Sequence, residues 1–155
     1  MPHRRKILFL ADAGPQVGGG HVMRCLTLAA ALTDLGADCR FMAPPEVQAI
    51  LDRFAPSGLG AVPCAAPVMI AAAAAQAADL VVTDRYGLTP EDEAQVAAGR
   101  PLVVLDDLPT RQHPCQLLLD PSLGRLKTDY EGRVPAFADI LAGPSFALVR
   151  PAFAT

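Results

Sequence analysis

Short apolar runs recur along the chain and alternate with segments whose apolar residues repeat every three or four positions. The runs are typical of buried strands, and the periodic segments are typical of helices that cover a sheet. The predicted strands are KILFLA (6–11), DCRFMA (38–43), LGAVPC (59–64), DLVVTD (79–84), PLVVLDD (101–107), QLLLD (116–120) and DILAG (139–143). The predicted helices cover about residues 20–35, 45–54, 68–78 and 90–98.

Residues at the ends of two predicted helices support these assignments. Gly36 is placed to end the first helix. In the last helix, Thr89 suits the N-cap, Pro90 suits the first turn, and Gly99 is placed to end it. Buried strands that alternate with helices predict an α/β fold, a Rossmann-like three-layer domain with a mostly parallel sheet.

Polar residues follow several predicted strands at the point where each strand ends. Asp12 follows the first strand, residues 84–87 (Asp-Arg-Tyr-Gly) follow the fourth, residues 106–107 (Asp-Asp) close the fifth, and Asp120 closes the sixth. Each residue alone is explained by a turn or a cap. Because ligands collect beyond the carboxyl ends of parallel strands, their repetition at one edge predicts a cleft there.

Composition narrows the possible partners. The chain has 155 residues, enough for one domain with a core, and its net charge of −3 gives no footprint for nucleic acid. The basic cluster at 3–6 is interpreted as a solvated strand entry. The apolar run at 7–11 is too short for a signal peptide, and polar residues and prolines interrupt the stretch at 61–82, so no membrane segment and a cytoplasmic location are expected.

The four cysteines, Cys25, Cys39, Cys64 and Cys115, form no CxxC pair, so reduced and mostly buried thiols are expected. Cys25 lies four residues after His21 near a predicted helix start, which also allows a nucleophile, but the apolar stripe of that helix includes Cys25 and favours burial. No histidine, cysteine and aspartate cluster has metal-ligand spacing, so no metal and no cofactor are expected.

The stretch GPQVGGGHVMRC (14–25) joins the first strand to the first helix. It is not a dinucleotide fingerprint, since Met23 stands where the last glycine is needed, and it is not a P-loop, since Gly20 stands where lysine is needed. Glycine lets a backbone take unusual conformations and lets a ligand come close, and N–H groups at a helix start favour an anion or a carbonyl oxygen. Gly19 and Gly20 are therefore candidate ligand contacts.

His21 and Arg24 follow these glycines in the first turn of the predicted helix. The helix dipole disfavours the imidazolium form there, so a neutral His21 can act as a general base. Arg24 lies on the same side and can hold an anionic or polar ligand group. The alternative is a tight glycine turn with a locally capping histidine.

Four ordered motifs resemble one family. GGGHVMRCLTLAAAL is similar to the GxGHxxRxxxLA signature of the UDP-2,4-diacetamido-2,4,6-trideoxy-β-L-altropyranose hydrolases, which are nucleotide-sugar hydrolases of pseudaminic acid biosynthesis. Further matches follow in order and spacing: TDRYGL (83–88), VVLDDLPTRQHPCQLLLDPSLGR (103–125) and LAGPSFALVRPAF (141–153). The family is similar in fold to GT-B glycosyltransferases, so the resemblance implies the N-terminal half of such a fold.

The resemblance implies an activity and a set of site residues. His21 would be the base that activates water for attack at the anomeric carbon as UDP leaves, and Tyr86 would lie beside the sugar of a UDP-activated amino sugar. Arg150 would lie near an inter-domain linker. The implied substrate-binding residues are Asp12, Gly19, Gly20, Arg24, Asp84, Tyr86, Asp107 and Arg150. The motifs differ from the family at Gln116, Pro121, Ser122 and Phe146, which affects the loop at 120–124.

Family members continue into a second α/β domain that supplies most nucleotide contacts. Residues 1–144 are therefore expected to form the sugar-side domain, and residues 145–155 to begin a linker to a C-terminal domain. A separate chain is a possible source of that domain, and little or no activity is expected from these residues alone. Two alternatives stay open: a GT-B-like glycosyltransferase half, and a non-catalytic domain that binds the sugar nucleotide beside a second chain.

Overall fold

A computed structural model of the chain describes residues 2–153, which form a seven-stranded sheet covered by helices. The strands are β1 (Lys6–Ala11), β2 (Asp38–Ala43), β3 (Gly60–Pro63), β4 (Leu80–Asp84), β5 (Leu102–Leu105), β6 (Leu117–Asp120) and β7 (Asp139–Ala142). The α-helices are α1 (Gly20–Asp34), α2 (Pro45–Phe54), α3 (Met69–Ala74) and α4 (Pro90–Ala97). The helices of residues 2–153 are all too short or too polar to cross a lipid bilayer.

The sheet is parallel throughout, in the order β3-β2-β1-β4-β5-β6-β7. Successive side chains of a strand face opposite sides, so β1 contributes to two cores. Phe9 stacks on Phe41 at 4.8 Å between their ring centroids, under α1 and α2. Leu8 and Leu10 pack on the other face with α3 and α4. The predicted three-layer α/β fold is confirmed, with a sheet that is wholly rather than mostly parallel.

One predicted helix is shorter than expected. The prediction at 68–78 becomes a 3-10 turn at Ala66–Val68 followed by α3, which ends at Ala74. The Arg100 side chain lies at this end, where its guanidinium donates to the carbonyl oxygens of Ala73 and Gln76. Carbonyl oxygens of the last helical turn have no partner in a continuing helix and are available for such contacts. Alanine favours a helix but does not fix where it stops.

The strand order distinguishes one position in the sheet, between β1 and β4, where the direction of winding changes. From β1 the chain winds outward through β2 to β3, and it then returns to the other side of β1 to form β4. The carboxyl ends of β1 and β4 therefore lie side by side where the winding direction reverses, the usual place for a ligand in such sheets. The Asp12 N–H donates to the Asp84 carbonyl across this point (3.0 Å).

Replacing Thr89 by alanine should lower the free energy of unfolding by about 0.5–2 kcal/mol. The Thr89 hydroxyl accepts the Asp92 N–H at 3.1 Å, and the Asp92 carboxylate accepts the Thr89 N–H at 3.0 Å, so two backbone donors at the start of α4 are satisfied. Urea denaturation measures the change. Ser57→Ala, in an exposed turn, is the matched control, and an equal loss in both variants would contradict the capping role.

Candidate active site

The loop from β1 to α1 is closed by its own backbone. Gly14 and Gly18 exchange N–H to carbonyl hydrogen bonds of 3.3 and 2.7 Å. Gly18 has φ +68°, in the left-handed region that favours glycine, so the backbone conformation explains why a glycine occupies this position. α1 then begins at Gly20 and places His21 in its first turn, at the edge where β1 and β4 end.

His21 forms a short hydrogen bond with Asp84, the last residue of β4. The Nδ1 atom lies 2.6 Å from the Asp84 Oδ1 atom, and the two side chains are 8% and 1% exposed. An ionised carboxylate can only accept, so the proton of this hydrogen bond belongs to Nδ1. The neutral ring then carries its lone pair on Nε2, which is the tautomer that a general base needs.

Arg24 binds the same carboxylate from the other side. Its Nε atom donates to Asp84 Oδ2, its Nη2 atom lies 2.6 Å from Asp84 Oδ1, and its Nη1 atom lies 3.5 Å from Asp107 Oδ2. Burial opposes the charged form, but the hydrogen bond and negative charge of Asp84 raise the pKa of Arg24 above its usual range. The guanidinium is thus largely committed to two aspartates, and the predicted contact to an anionic ligand stays a prediction.

Tyr86 connects His21 to the end of β5. Its hydroxyl donates to Asp107 Oδ1 at 2.6 Å, and its ring meets the His21 ring edge-on, with 4.7 Å between centroids. Burial and the hydrogen bond to Asp107 raise the pKa of Tyr86 to about 12. Tyr86 is therefore a neutral phenol at ordinary pH.

Five predicted residues thus form one network that we call the switch-point network: His21, Arg24, Asp84, Tyr86 and Asp107. In this network one arginine side chain contacts two aspartate side chains. The fold joins residues from α1, from the end of β4 and from beyond β5, because these elements meet at the reversal of winding.

The other predicted residues lie outside this network. Asp12 reaches Asp84 through its backbone N–H. A side chain at Gly19 would meet Ile50 of α2 at 3.2 Å, whereas one at Gly20 would enter open space. The exposed Arg150 lies over the Phe153 ring and borders a hollow of about 380 Å³ that Gly20 and Arg24 also line. The structure therefore places Gly20, Arg24 and Arg150 around one hollow beside the start of α1.

A second group of buried charges was missed by the sequence analysis. The His113 Nδ1 atom lies 2.9 Å from both carboxylate oxygens of Glu93 in α4, and its Nε2 atom lies 3.0 Å from Asp106 Oδ2. From the sequence alone, the helix dipole is a sufficient explanation for an acidic residue in the first turn of a helix. The position of Glu93 on the face that buries Val96 and Ala97 is the signal for a buried partner.

Asp120, the last residue of β6, has partners close by in the structure. Its carboxylate accepts the Tyr130 hydroxyl at 2.8 Å and pairs with the Arg125 Nε atom at 2.6 Å. Arg125 also donates to the Asp107 carbonyl at 3.0 Å. Arg125 therefore connects the Asp120 loop to the loop that follows β5, and the Asp120 carboxylate is occupied by contacts within the protein.

Cysteine and metal chemistry have little structural support here. All four cysteines are free thiols, and burial followed by the charge of Asp84 raises the pKa of Cys25 well above its ordinary value. Cys25 is therefore a protonated, buried thiol rather than a nucleophile. Within residues 2–153, no group of three or more histidine, cysteine, aspartate or glutamate side chains is arranged to hold a metal ion.

Comparison with known proteins gives one relevant similarity. The chain is 28% identical over 150 residues to the UDP-2,4-diacetamido-2,4,6-trideoxy-β-L-altropyranose hydrolase of Campylobacter jejuni subsp. jejuni serotype O:2. The match covers 96% of this chain and 53% of the relative, so the chain spans about half the length of the curated relative it matches. No family model matches the chain. The resemblance inferred from the motifs is confirmed: the chain is similar to about half of a UDP-diacetamido-trideoxy-altropyranose hydrolase.

Proposed function

We propose that the chain is the sugar-side part of a nucleotide-sugar hydrolase of pseudaminic acid biosynthesis, which releases UDP and a free 2,4-diacetamido-2,4,6-trideoxy sugar. The observation that carries the proposal is the 2.6 Å hydrogen bond between His21 Nδ1 and the buried Asp84 carboxylate at the switch point of the sheet. The relative of that name supports the choice of substrate.

The proposed reaction uses the His21 tautomer that Asp84 fixes. Nε2 accepts a proton from water while the water oxygen forms a bond to the anomeric carbon of the sugar. The bond from that carbon to the phosphate oxygen breaks, and UDP leaves with the electron pair. The Asp84 carboxylate stabilises the imidazolium that results, and Arg24 holds this carboxylate in place.

Tyr86 contributes shape and polarity in this proposal. Its ring stands edge-on to the His21 ring at 4.7 Å and limits how that ring can rotate. Its hydroxyl proton is directed to Asp107, so a sugar hydroxyl or amide N–H can donate to the remaining lone pair of the phenol oxygen. Tyr86 thus positions the sugar beside the base without giving up a proton.

The domain assignment is part of the same proposal. Residues 1–144 form the sugar side of a cleft, residues 145–155 begin the linker, and a second domain or a separate chain supplies the nucleotide contacts. The 53% coverage of the relative supports this division. A half-built cleft excludes water poorly, so turnover by this chain alone should be slow.

Single-turnover hydrolysis tests the proposal. The chain, in excess, is mixed with UDP-2,4-diacetamido-2,4,6-trideoxy-β-L-altropyranose in water enriched in oxygen-18, with no acceptor added. Slow release of UDP with the heavy oxygen in the anomeric hydroxyl of the sugar is the expected result. Heavy oxygen in the phosphate of the product would exclude attack at the anomeric carbon. UDP release that requires an added alcohol acceptor would instead indicate a transferase.

A further inference from the structure

Glu93, Asp106 and His113 form a cluster of buried charges outside the switch-point network, which we call the His113 cluster. Each of the three residues is only 1% exposed. They come from α4, from the residue after β5, and from the segment that leads into β6. Burial of several ionisable groups is costly unless each is paired, so such a cluster requires a structural or functional reason.

The hydrogen bonds of His113 define its charge. Nδ1 faces Glu93 and Nε2 faces Asp106, and both carboxylates accept only. Both ring nitrogens therefore carry protons, and His113 is an imidazolium. Burial lowers the pKa of His113, but the hydrogen bonds that its ring donates to Asp106 and Glu93 outweigh burial and raise this pKa above its ordinary value. Arg111, 3.5 Å from Asp106, balances the remaining negative charge.

Asp106 connects His113 to the loop that follows β5. Its Oδ2 atom binds His113, while its Oδ1 atom accepts the backbone N–H groups of Asp107 and Leu108 at 2.9 and 3.3 Å. Its own N–H donates to the Leu119 carbonyl of β6 at 3.0 Å. This side chain thus closes a tight turn and fixes the backbone from which the Asp107 carboxylate projects.

We propose that His113 is a positioning residue that clamps Asp106 against Glu93 and thereby holds the Asp107 carboxylate against Tyr86 and Arg24. The chain of contacts runs from α4 through His113 to the β5 turn and ends 2.6 Å from the Tyr86 hydroxyl. The proposal rests on the proposed function only in treating Tyr86 as part of a sugar site.

The ionisation of Tyr86 reports this chain of contacts without any substrate. Negative charge from Asp107 and Asp84 faces the phenol, and Arg24 opposes it. The chain has two tyrosines and no tryptophan. The second tyrosine, Tyr130, is fully buried, and burial and its hydrogen bond to Asp120 raise its pKa far above that of Tyr86. Tyrosinate absorbance during an alkaline titration therefore follows Tyr86, and Tyr130 reports whether the fold is intact.

The experiment compares the unmodified chain with His113→Ala and Asp106→Asn. We expect both variants to lower the pKa of Tyr86 from about 12 toward the ordinary value of about 10, because the Asp107 carboxylate moves away from the phenol. Asp107→Asn is the positive control and should give a similar decrease. Far-UV circular dichroism follows the fold during each titration.

A matched control distinguishes a positioning role of His113 from a general loss of packing around α4. Val96→Ala weakens the packing of the same helix, α4, without removing a hydrogen bond of the His113 cluster, and it should leave the pKa of Tyr86 unchanged. An unchanged Tyr86 pKa in a folded His113→Ala variant would overturn the proposal. If that variant does not fold, the same result in Asp106→Asn would overturn it. Heavy oxygen in the phosphate of the released UDP would remove the proposed function and leave this test intact.

Discussion

Replacing His21 by asparagine is expected to slow single-turnover UDP release by about 10²–10⁴-fold, the usual contribution of a general base. The asparagine amide N–H can take over the donor role of Nδ1 toward Asp84, so the carboxylate keeps a partner. The variant has no atom that replaces the Nε2 lone pair, because an amide nitrogen is not basic. The substitution therefore removes the proposed base while it preserves the hydrogen bond beneath it.

His3 supplies the control for this substitution. It is an exposed histidine whose Nε2 atom lies 3.3 Å from Asp79, at the opposite ends of β1 and β4 from His21. His3→Asn should release UDP at the unmodified rate. The assignment of His21 as the base would be wrong if His21→Asn and His3→Asn were equally active. Thermal denaturation of both variants shows whether a loss of rate reflects a loss of fold.

The general fold could be predicted because one hydrophobic pattern, a short apolar run followed by a helical segment, recurs along the chain. Each apolar run of about four to six residues is too short for a helix, and each is followed by a periodic segment, so parallel strands with covering helices satisfy the whole pattern. The end of α3 could not be predicted. The carbonyl oxygens at this end accept hydrogen bonds from the distant Arg100 side chain, a contact that no local alanine pattern encodes.

The candidate site was predictable as a set of residues but not as a network. The strand-end rule pointed to Asp84 and Asp107, and the glycine-rich turn before the first helix pointed to His21. The family resemblance added the role of Tyr86 beside the sugar. The pairing of His21 with Asp84 spans 63 positions and exists because β4 returns to the side of β1. Strand order is a property of the assembled sheet, so local periodicity does not specify this contact.

The His113 cluster illustrates a different limit of sequence reasoning. An acidic residue in the first turn of a helix has a sufficient local explanation in the helix dipole, and that explanation conceals a buried role. Glu93 differs from its neighbours Glu91 and Asp92 only because it shares a face with Val96. The helical spacing shows that Glu93 is on the buried face, but only the structure shows that His113 is its partner there.

Replacing Asp84 by alanine is expected to lower the free energy of unfolding by about 3–5 kcal/mol, the range for removing one partner of a buried ion pair. The carboxylate is the shared partner of Arg24 and His21, and its side chain is 1% exposed. Without it, the nearest carboxylate to the Arg24 guanidinium is Asp107 at 3.5 Å, and His21 Nδ1 loses its acceptor. Urea denaturation followed by circular dichroism measures the loss.

Asp38→Ala is the matched control, because Asp38 pairs with Arg40 at 3.3 Å in an ion pair that is about one third to one half exposed. Such surface pairs contribute about 0–1 kcal/mol, so the control should lose far less stability than Asp84→Ala. Equal losses would mean that Asp84 is not the anchor of the switch-point network. A large loss for Asp84→Ala together with a small loss for Asp84→Asn would show that its volume and hydrogen bonds contribute more than its charge. In that case Arg24 needs an acceptor beside it more than it needs a counter-ion.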